Sequence, residues 1–451
     1  MPGVIAHARP STPERHRPMS RFLPALGRKL LLTLLIAGAG ATAAVAADAR
    51  RQLIIDQDMF GPGGSNMNSV LMLLQAPDVE VLGIVVSSGD GWRDEEIAQT
   101  LRMLELVGRP EVPVYAGAAF PLLNSAARMK AWEGRYGPLV WKGAWTESFG
   151  GQPRTDYHAD PFLVPALADG APSLQVQSES GIAFMIRSVH AHPGRVTLWT
   201  GGALTDLALA ARQDPGFAAA TRELVFMGGS FNPMAASNEF ADEYAHSPRR
   251  EFNMLWDAEA ASAVLHEAWP RVTEIPVDPT TKTFFSKALY AEIGRAPTPL
   301  AAYVAGHGEG FPMWDELAAA VWLQPSLVKR SQKMLVDVAA GDGAGYGSTL
   351  SWPLGRGPGL GEREVEVIQD VDVPRFERLT VQLLSAGQWL ARRDAARAQG
   401  VRASRAQLRC LPTRPVISNI VTSSLPMTAL SLASHRMLRL LAGFCRLWAL
   451  M

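Results

Sequence analysis

The chain has 451 residues, 47% hydrophobic and 19% charged, values that suit a globular protein with a sizeable core. Its 43 basic and 43 acidic residues cancel, which gives no argument for a nucleic-acid partner, whose phosphates require a clustered basic face. The two cysteines, Cys410 and Cys445, lie near the C-terminus, so the body of the chain carries no disulfide framework and no thiolate metal site.

The N-terminus reads as an export signal. Arg21, Arg28 and Lys29 form a positive region, 30–46 is an apolar run that turns small toward its end, and Ala44-Val45-Ala46 is a small-x-small cleavage site. Residues 1–46 are therefore expected to be removed as a signal peptide, giving a periplasmic or secreted protein; Met19 could equally be the start. The run is short for a membrane span, so no stable span is expected once it is cleaved. An uncleaved anchor is the alternative reading.

Gln52-Leu53-Ile54-Ile55-Asp56 is a short apolar strand ending in acid, and 66–75 follows with helical spacing (Met67, Val70, Leu71, Leu74) before Pro77. A buried β-branched strand over 79–87 precedes a helix over 94–107. The alternation returns at Val114 and Tyr115, where Pro113 marks a strand start, at a helix over 181–190, and at strands over 196–200 and 224–227. This order predicts an α/β fold, a mostly parallel central sheet with helices on both faces in a Rossmann-like open arrangement over 47–387. From 388 to 451 the composition changes, with Arg392, Arg393, Arg397, Arg402, Arg405 and Arg409 among Ala and Gln and an apolar close; no function is assigned to this tail.

Ligands of such sheets sit at the carboxyl ends of the strands. The segments there are Asp56-Gln57-Asp58, Ser88-Gly89-Asp90, Thr200-Gly201-Gly202 and Met227-Gly228-Gly229. Two carry acid, and two carry paired glycines that let backbone approach a ligand. An Asp-x-Asp pair can contribute to a hard-cation site, since Ca²⁺ takes about six to eight oxygen ligands; as a lone dipeptide it reads as an acid capping the next loop.

Ile54-Ile55-Asp56-Gln57-Asp58, with Gly61 and Asn66 opening a helix, resembles the N-terminal signature of the inosine-uridine-type nucleoside hydrolases, where a strand ends in Asp-x-Asp-x-Gly-x-Asp-Asp. Further blocks run in the family's order: 196–208 (VTLWTGGALTDLA), Met227-Gly228-Gly229 with Glu251-Phe252-Asn253, and Trp314-Asp315-Glu316-Leu317-Ala318. The resemblance implies a hydrolase that cleaves the N-glycosidic bond of a nucleoside or riboside to ribose and free base. It implies Ca²⁺ held by Asp58, Asn66, Thr200 (through its carbonyl) and Asp315, with Asp58 taking the proton of the attacking water. Glu251 and Asn253 would bind ribose hydroxyls, and Asp90, Ser65 and Trp314 would lie at the substrate.

The chain departs from the family in two ways. Ser65 and Asn66 replace the acid pair entering the first helix, which lowers the charge available to a cation, and Trp314 stands where a histidine is common. His246 or Tyr244, in the long loop over 230–250, could supply the leaving-group proton instead, or Trp314 could stack on the base. Trp92 is a second candidate for stacking. These departures give the competing reading, a ribose- or nucleoside-binding protein of the same fold without turnover; an exported sugar-binding protein of an unrelated α/β fold is a third. The sequence leaves open whether the chain forms a homo-oligomer.

Overall fold

Leu53, Ile54 and Ile55 are all fully buried, because the strand they form lies inside a sheet covered on both faces. Leu53 and Ile55 enter one apolar cluster and Ile54 the other, as the two-residue period of a strand requires. Each such side chain contributes roughly 1.5–3 kcal/mol by leaving water. The computed structural model describes residues 50–232, 249–308 and 310–387. The expected signal peptide, the loop positions Tyr244 and His246, and the tail over 388–451 lie outside the described residues.

The strands are β1 (Arg51–Gln57), β2 (Val79–Val86), β3 (Val114–Ala116), β4 (Ser148–Phe149), β5 (Gln152–Pro153), β6 (Val196–Thr200), β7 (Glu223–Met227), β8 (Val272–Ile275), β9 (Val328–Val338), β10 (Thr349–Pro353) and β11 (Glu364–Val371). Nine of them form one sheet in the order β10-β9-β11-β8-β7-β6-β1-β2-β3, and β4 pairs with β5 separately. From β3 through β11 every neighbouring pair is parallel, while β9 runs antiparallel to both β10 and β11. The mostly parallel sheet expected from the sequence is the one observed, extended at one edge by the antiparallel pair β9 and β10.

Helices cover both of its faces. α1 (Gly64–Gln75), α5 (Trp314–Leu323) and α6 (Val373–Leu384) pack on the face of Leu53 and Ile55. On the face of Ile54 lie α2 (Gly181–Ala191), α3 (Thr205–Gln213) and α4 (Ala258–Leu265). α1 ends at Ala76, whose extended backbone is what a residue preceding Pro77 prefers.

Candidate active site

Strand order reverses at β1: β2 and β3 lie to one side, β6, β7 and β8 to the other. A crevice opens beyond the carboxyl ends of the strands at such a switch point. Asp56 pairs in register with Thr200, the last residue of β6, and Asp58 follows just after β1 ends.

Asp58 is 1% exposed and held on both oxygens. Its Oδ2 accepts the backbone N–H of Asp90 at 2.9 Å, and its Oδ1 accepts Asn66 Nδ2 at 3.0 Å. The same Asn66 nitrogen donates to the Asp58 carbonyl at 2.7 Å. Glycine is required beside it: a Cβ on Gly202 would stand 2.8 Å from the Asp58 nitrogen, and one on Gly89 would collide with the Asp58 carboxylate. Burial, then the charges of Asp90 and Asp315, push the Asp58 carboxyl well above its usual range.

Gln57 joins Asp58 to the next acid. Its Oε1 accepts the Asp58 N–H at 3.0 Å, and its Nε2 donates to Asp315 Oδ2 at 3.3 Å. Asp315 lies in the first turn of α5, where the helix dipole favours an acid. Burial and the charges of Glu316 and Asp90 raise its carboxyl well above the ordinary value. Ser65, expected at the substrate, has its hydroxyl committed elsewhere: it donates to Glu316 Oε2 at 2.6 Å and accepts the Asp315 N–H at 2.9 Å.

Asp90 takes a hydrogen bond from Trp141 Nε1 at 2.6 Å and a longer one from Asn66 Nδ2 at 3.4 Å. Burial raises its carboxyl, while these donors and the Arg154 guanidinium act to lower it. Arg154 lies 4.8 Å over the Trp141 ring and 5.3 Å over Phe60, fastened to Asp156 at 2.7 Å. Glu96, wholly buried, accepts the Gly91 N–H at 2.7 Å through Oε1. Burial and the charges of Asp58 and Asp90 raise its carboxyl too.

The other expected residues line the neighbouring strand ends. Glu251 accepts the backbone N–H groups of Gly229 at 3.1 Å, Asn253 at 2.8 Å and Met254 at 3.2 Å, so its carboxylate caps the short helix Phe252–Trp256. Asn253 Nδ2 donates to the carbonyls of Gly201 at 2.6 Å and Met227 at 3.2 Å, bracing two of the glycine turns together. Trp314 is half-buried and stacks on Phe311 with ring centroids 6.4 Å apart. Trp92 is 6% exposed, packs edge-on against Phe120 and Trp256, and donates to the His158 carbonyl at 2.9 Å, the surroundings of a core tryptophan.

The structure thus brings Asp58, Asn66, Asp90 and Asp315 into one hydrogen-bonded and electrostatically coupled group, with Thr200 on the adjoining strand. This donor set fits a hard cation. The carboxylates and the Thr200 carbonyl offer oxygen, as Ca²⁺ and Mg²⁺ require, whereas Asn66, expected to present its amide oxygen, turns its Nδ2 to Asp58 and Asp90 as a donor. Carboxyls at Asp58, Asp90, Glu96 and Asp315 crowd together in buried surroundings, and Glu96 Oε2 has no hydrogen-bond partner among the described residues. Such a concentration of acid is unfavourable unless protons or a cation neutralise it.

Sequence reasoning missed Gln57, Glu96, Trp141 and Arg154. Gln57 carried a signal in its place between the two aspartates. Trp141 and Arg154 come from the long stretch between β3 and α2, where the only sheet is the β4–β5 pair and no periodicity marks a position.

Comparison with known proteins identifies the family and the fold. The profile of the family described as inosine-uridine preferring nucleoside hydrolase matches residues 53–378. An uncharacterized protein of Schizosaccharomyces pombe is 29% identical over 362 residues, covering 76% of this chain and 87% of the relative. The pyrimidine-specific ribonucleoside hydrolase RihB of Escherichia coli is 26% identical, covering 68% of this chain and 88% of the relative. A probable uridine nucleosidase of Oryza sativa is 31% identical over 52% of this chain and 61% of its own length. Among solved structures, a plant nucleoside hydrolase aligns with TM-score 0.58 at 20% identity over 74% of this chain and 99% of that one, and shares the fold. With a profile match that spans most of its length and carries the Asp58 and Asp315 blocks in order, the chain belongs to the inosine-uridine preferring nucleoside hydrolase family.

Proposed function

We propose that this nucleoside hydrolase cleaves the N-glycosidic bond of ribonucleosides, or of related N-ribosides, at the Asp58 site with Ca²⁺ as its metal. The observation that carries the reading is the buried group of Asp58, Asp90 and Asp315 at the switch point of the sheet, in a chain of this family. Asp58, Asp315, the Thr200 carbonyl and Asn66 would hold the ion, with Asp90 beside them. A bound Ca²⁺ supplies positive charge that returns these carboxyls to their ionised form and gathers water and ribose hydroxyls into the cleft.

Asp58 then acts as general base. It is the acid held between the Asp90 N–H and Asn66, and it takes the proton of a water that attacks the anomeric carbon. As the base departs, the sugar acquires oxocarbenium character, which the carboxylates of Asp58 and Asp90 stabilise. Asn253, fixed by its two carbonyl acceptors, and Glu251, fixed by three N–H groups, set the wall on the ribose side. Trp314 has no titratable proton at this pH to give the leaving base, so its ring serves for stacking. The rice and Escherichia coli relatives are named for uridine and for pyrimidine ribonucleosides, which makes uridine the first substrate to try.

The test is reducing-sugar release from uridine, cytidine, inosine and adenosine, in Ca²⁺ and in excess chelator. Release that needs Ca²⁺ supports the proposal. Silence on every nucleoside, with Ca²⁺-dependent ribose binding intact, selects the binding-protein reading that the loss of acid at Ser65 and Asn66 favours. Export rests on the sequence of 1–46, and an N-terminus of the secreted form beginning after Ala46 is its check.

A further inference from the structure

At the amino ends of the parallel strands, on the rim opposite the candidate active site, three chain segments converge on a second group of ligand-type side chains. His266 caps the C-terminus of α4, Asp337 is the penultimate residue of β9, and Glu362 precedes β11. One ligand atom from each lies within 4.8 Å of the others. Glu364 pairs with Leu335 across the β9–β11 ladder, and continuing that register by two residues sets Glu362 opposite Asp337. Like charges directly opposite across a ladder are destabilising, and among the described residues neither carboxylate is paired with a lysine or arginine.

The three side chains are already aimed. Asp337 Oδ1 accepts the Val338 N–H at 2.7 Å, and its Oδ2 stands 3.6 Å from His266 Nε2. That nitrogen is buried and makes no hydrogen bond among the described residues. Glu362 is oriented by the Leu360 N–H, which reaches its two oxygens at 3.2 and 3.1 Å. Tetrahedral zinc ligands at the usual bond lengths are about 3.3 Å apart, so side-chain rotations would close the remaining gap.

We propose that His266, Asp337 and Glu362 form a second metal site, for a borderline divalent cation of the Zn²⁺ type. One imidazole nitrogen with two carboxylate oxygens suits Zn²⁺ and falls short of the six or more oxygens, about, that Ca²⁺ takes. With three protein ligands, the fourth position is left to water. The ion would tie the end of α4 to the β9–β11 edge and relieve the facing acids, far from the strand ends that carry Asp58. The site stands independently of the proposed hydrolase mechanism.

The experiment uses the untagged full chain, stripped with chelator and returned to saturating Ca²⁺, and titrates it with ZnCl₂ by calorimetry and by thermal melting. The expected result is one tight equivalent of Zn²⁺ and a rise in Tm, both lost in His266→Ala and in Glu362→Gln, with nucleoside hydrolysis unchanged in both variants. Glu362 sits in an exposed connection, so Glu362→Gln carries the test if circular dichroism shows His266→Ala unfolded. A folded wild type that binds no Zn²⁺, or Zn²⁺ binding equal in wild type and a folded variant, overturns the proposal.

Discussion

Asn66 Nδ2 lies 3.4 Å from Asp90 Oδ2 while it donates to Asp58 Oδ1 at 3.0 Å, so one amide links two acids of the cleft. The family signature has acid at position 66, and in this chain Asp90 stands across a hydrogen bond from the asparagine that replaces it. This arrangement keeps a carboxylate beside Asp58 where position 66 has lost one. Asp90→Asn is therefore expected to weaken Ca²⁺ binding by roughly tenfold or more, since ligand charge tunes such sites. Adding Asn66→Asp to that variant is expected to recover most of the loss. Calorimetric titration with Ca²⁺ reads both, and an Asp90→Asn protein that binds like wild type would remove Asp90 from the site.

Trp141 Nε1 donates to Asp90 Oδ1 at 2.6 Å, a bond from a neutral donor to an acid. Trp141→Phe keeps a ring against Phe149 and Phe252 but removes the donor. Hydrogen bonds to charged groups contribute about 1.5–3 kcal/mol, which corresponds to a fall in kcat/KM of about tenfold to a hundredfold. Steady-state kinetics on the best nucleoside, with Tm measured beside it, checks this. A fall in Tm with kcat/KM intact would make Trp141 a packing residue only.

Gly202 has no room for a side chain, because a Cβ there would meet the Asp58 backbone nitrogen at 2.8 Å. Backbone gives way less readily than the end of a side chain. Gly202→Ala is expected to displace Asp58 and abolish the rise in Tm that Ca²⁺ produces, while the circular dichroism spectrum stays that of the wild type. An undiminished Ca²⁺ shift would contradict this close fit.

Two buried acids set a pH dependence of stability away from Asp58. Burial raises Glu251 from 4.5 to about 7 and Asp257 from 3.8 to about 6. A raised pKa in the folded state means that the native protein binds the proton more tightly than the unfolded chain. The stabilisation is complete below the unfolded pKa and is lost as pH rises through the folded one. In chelator, Tm is expected to fall between about pH 4.5 and pH 7, and Glu251→Gln to flatten part of that slope. Equal slopes in wild type and variant would show that Glu251 does not contribute.

The legible parts of this fold were those whose burial leaves a mark on composition. β1, β2 and β6 are apolar on both faces, so their runs stand out, and the acids and glycines directly after them mark the cleft. β9 gave no such signal, because its first half is exposed and reads Lys329, Arg330, Ser331, Gln332, Lys333. Asp58, Asn66 and Asp315 could be matched through motif order. Ser65 was expected at the substrate from that order, yet its hydroxyl serves Glu316 and the Asp315 N–H, a role set by the packing of α1 against α5 that no local pattern encodes. Trp141 and Arg154 reach the site from a segment without periodicity, so only the three-dimensional structure places them beside Asp90.

The central claim is that Asp58 is the base of a Ca²⁺-dependent nucleoside hydrolase. Its most direct measurement is the rate of ribose release from uridine and inosine by wild type and Asp58→Asn in saturating Ca²⁺, each protein shown folded by circular dichroism. The account predicts clear turnover by the wild type and a loss of roughly a hundredfold or more in the variant, the usual scale for removing a general base. Equal rates in the two proteins would contradict it.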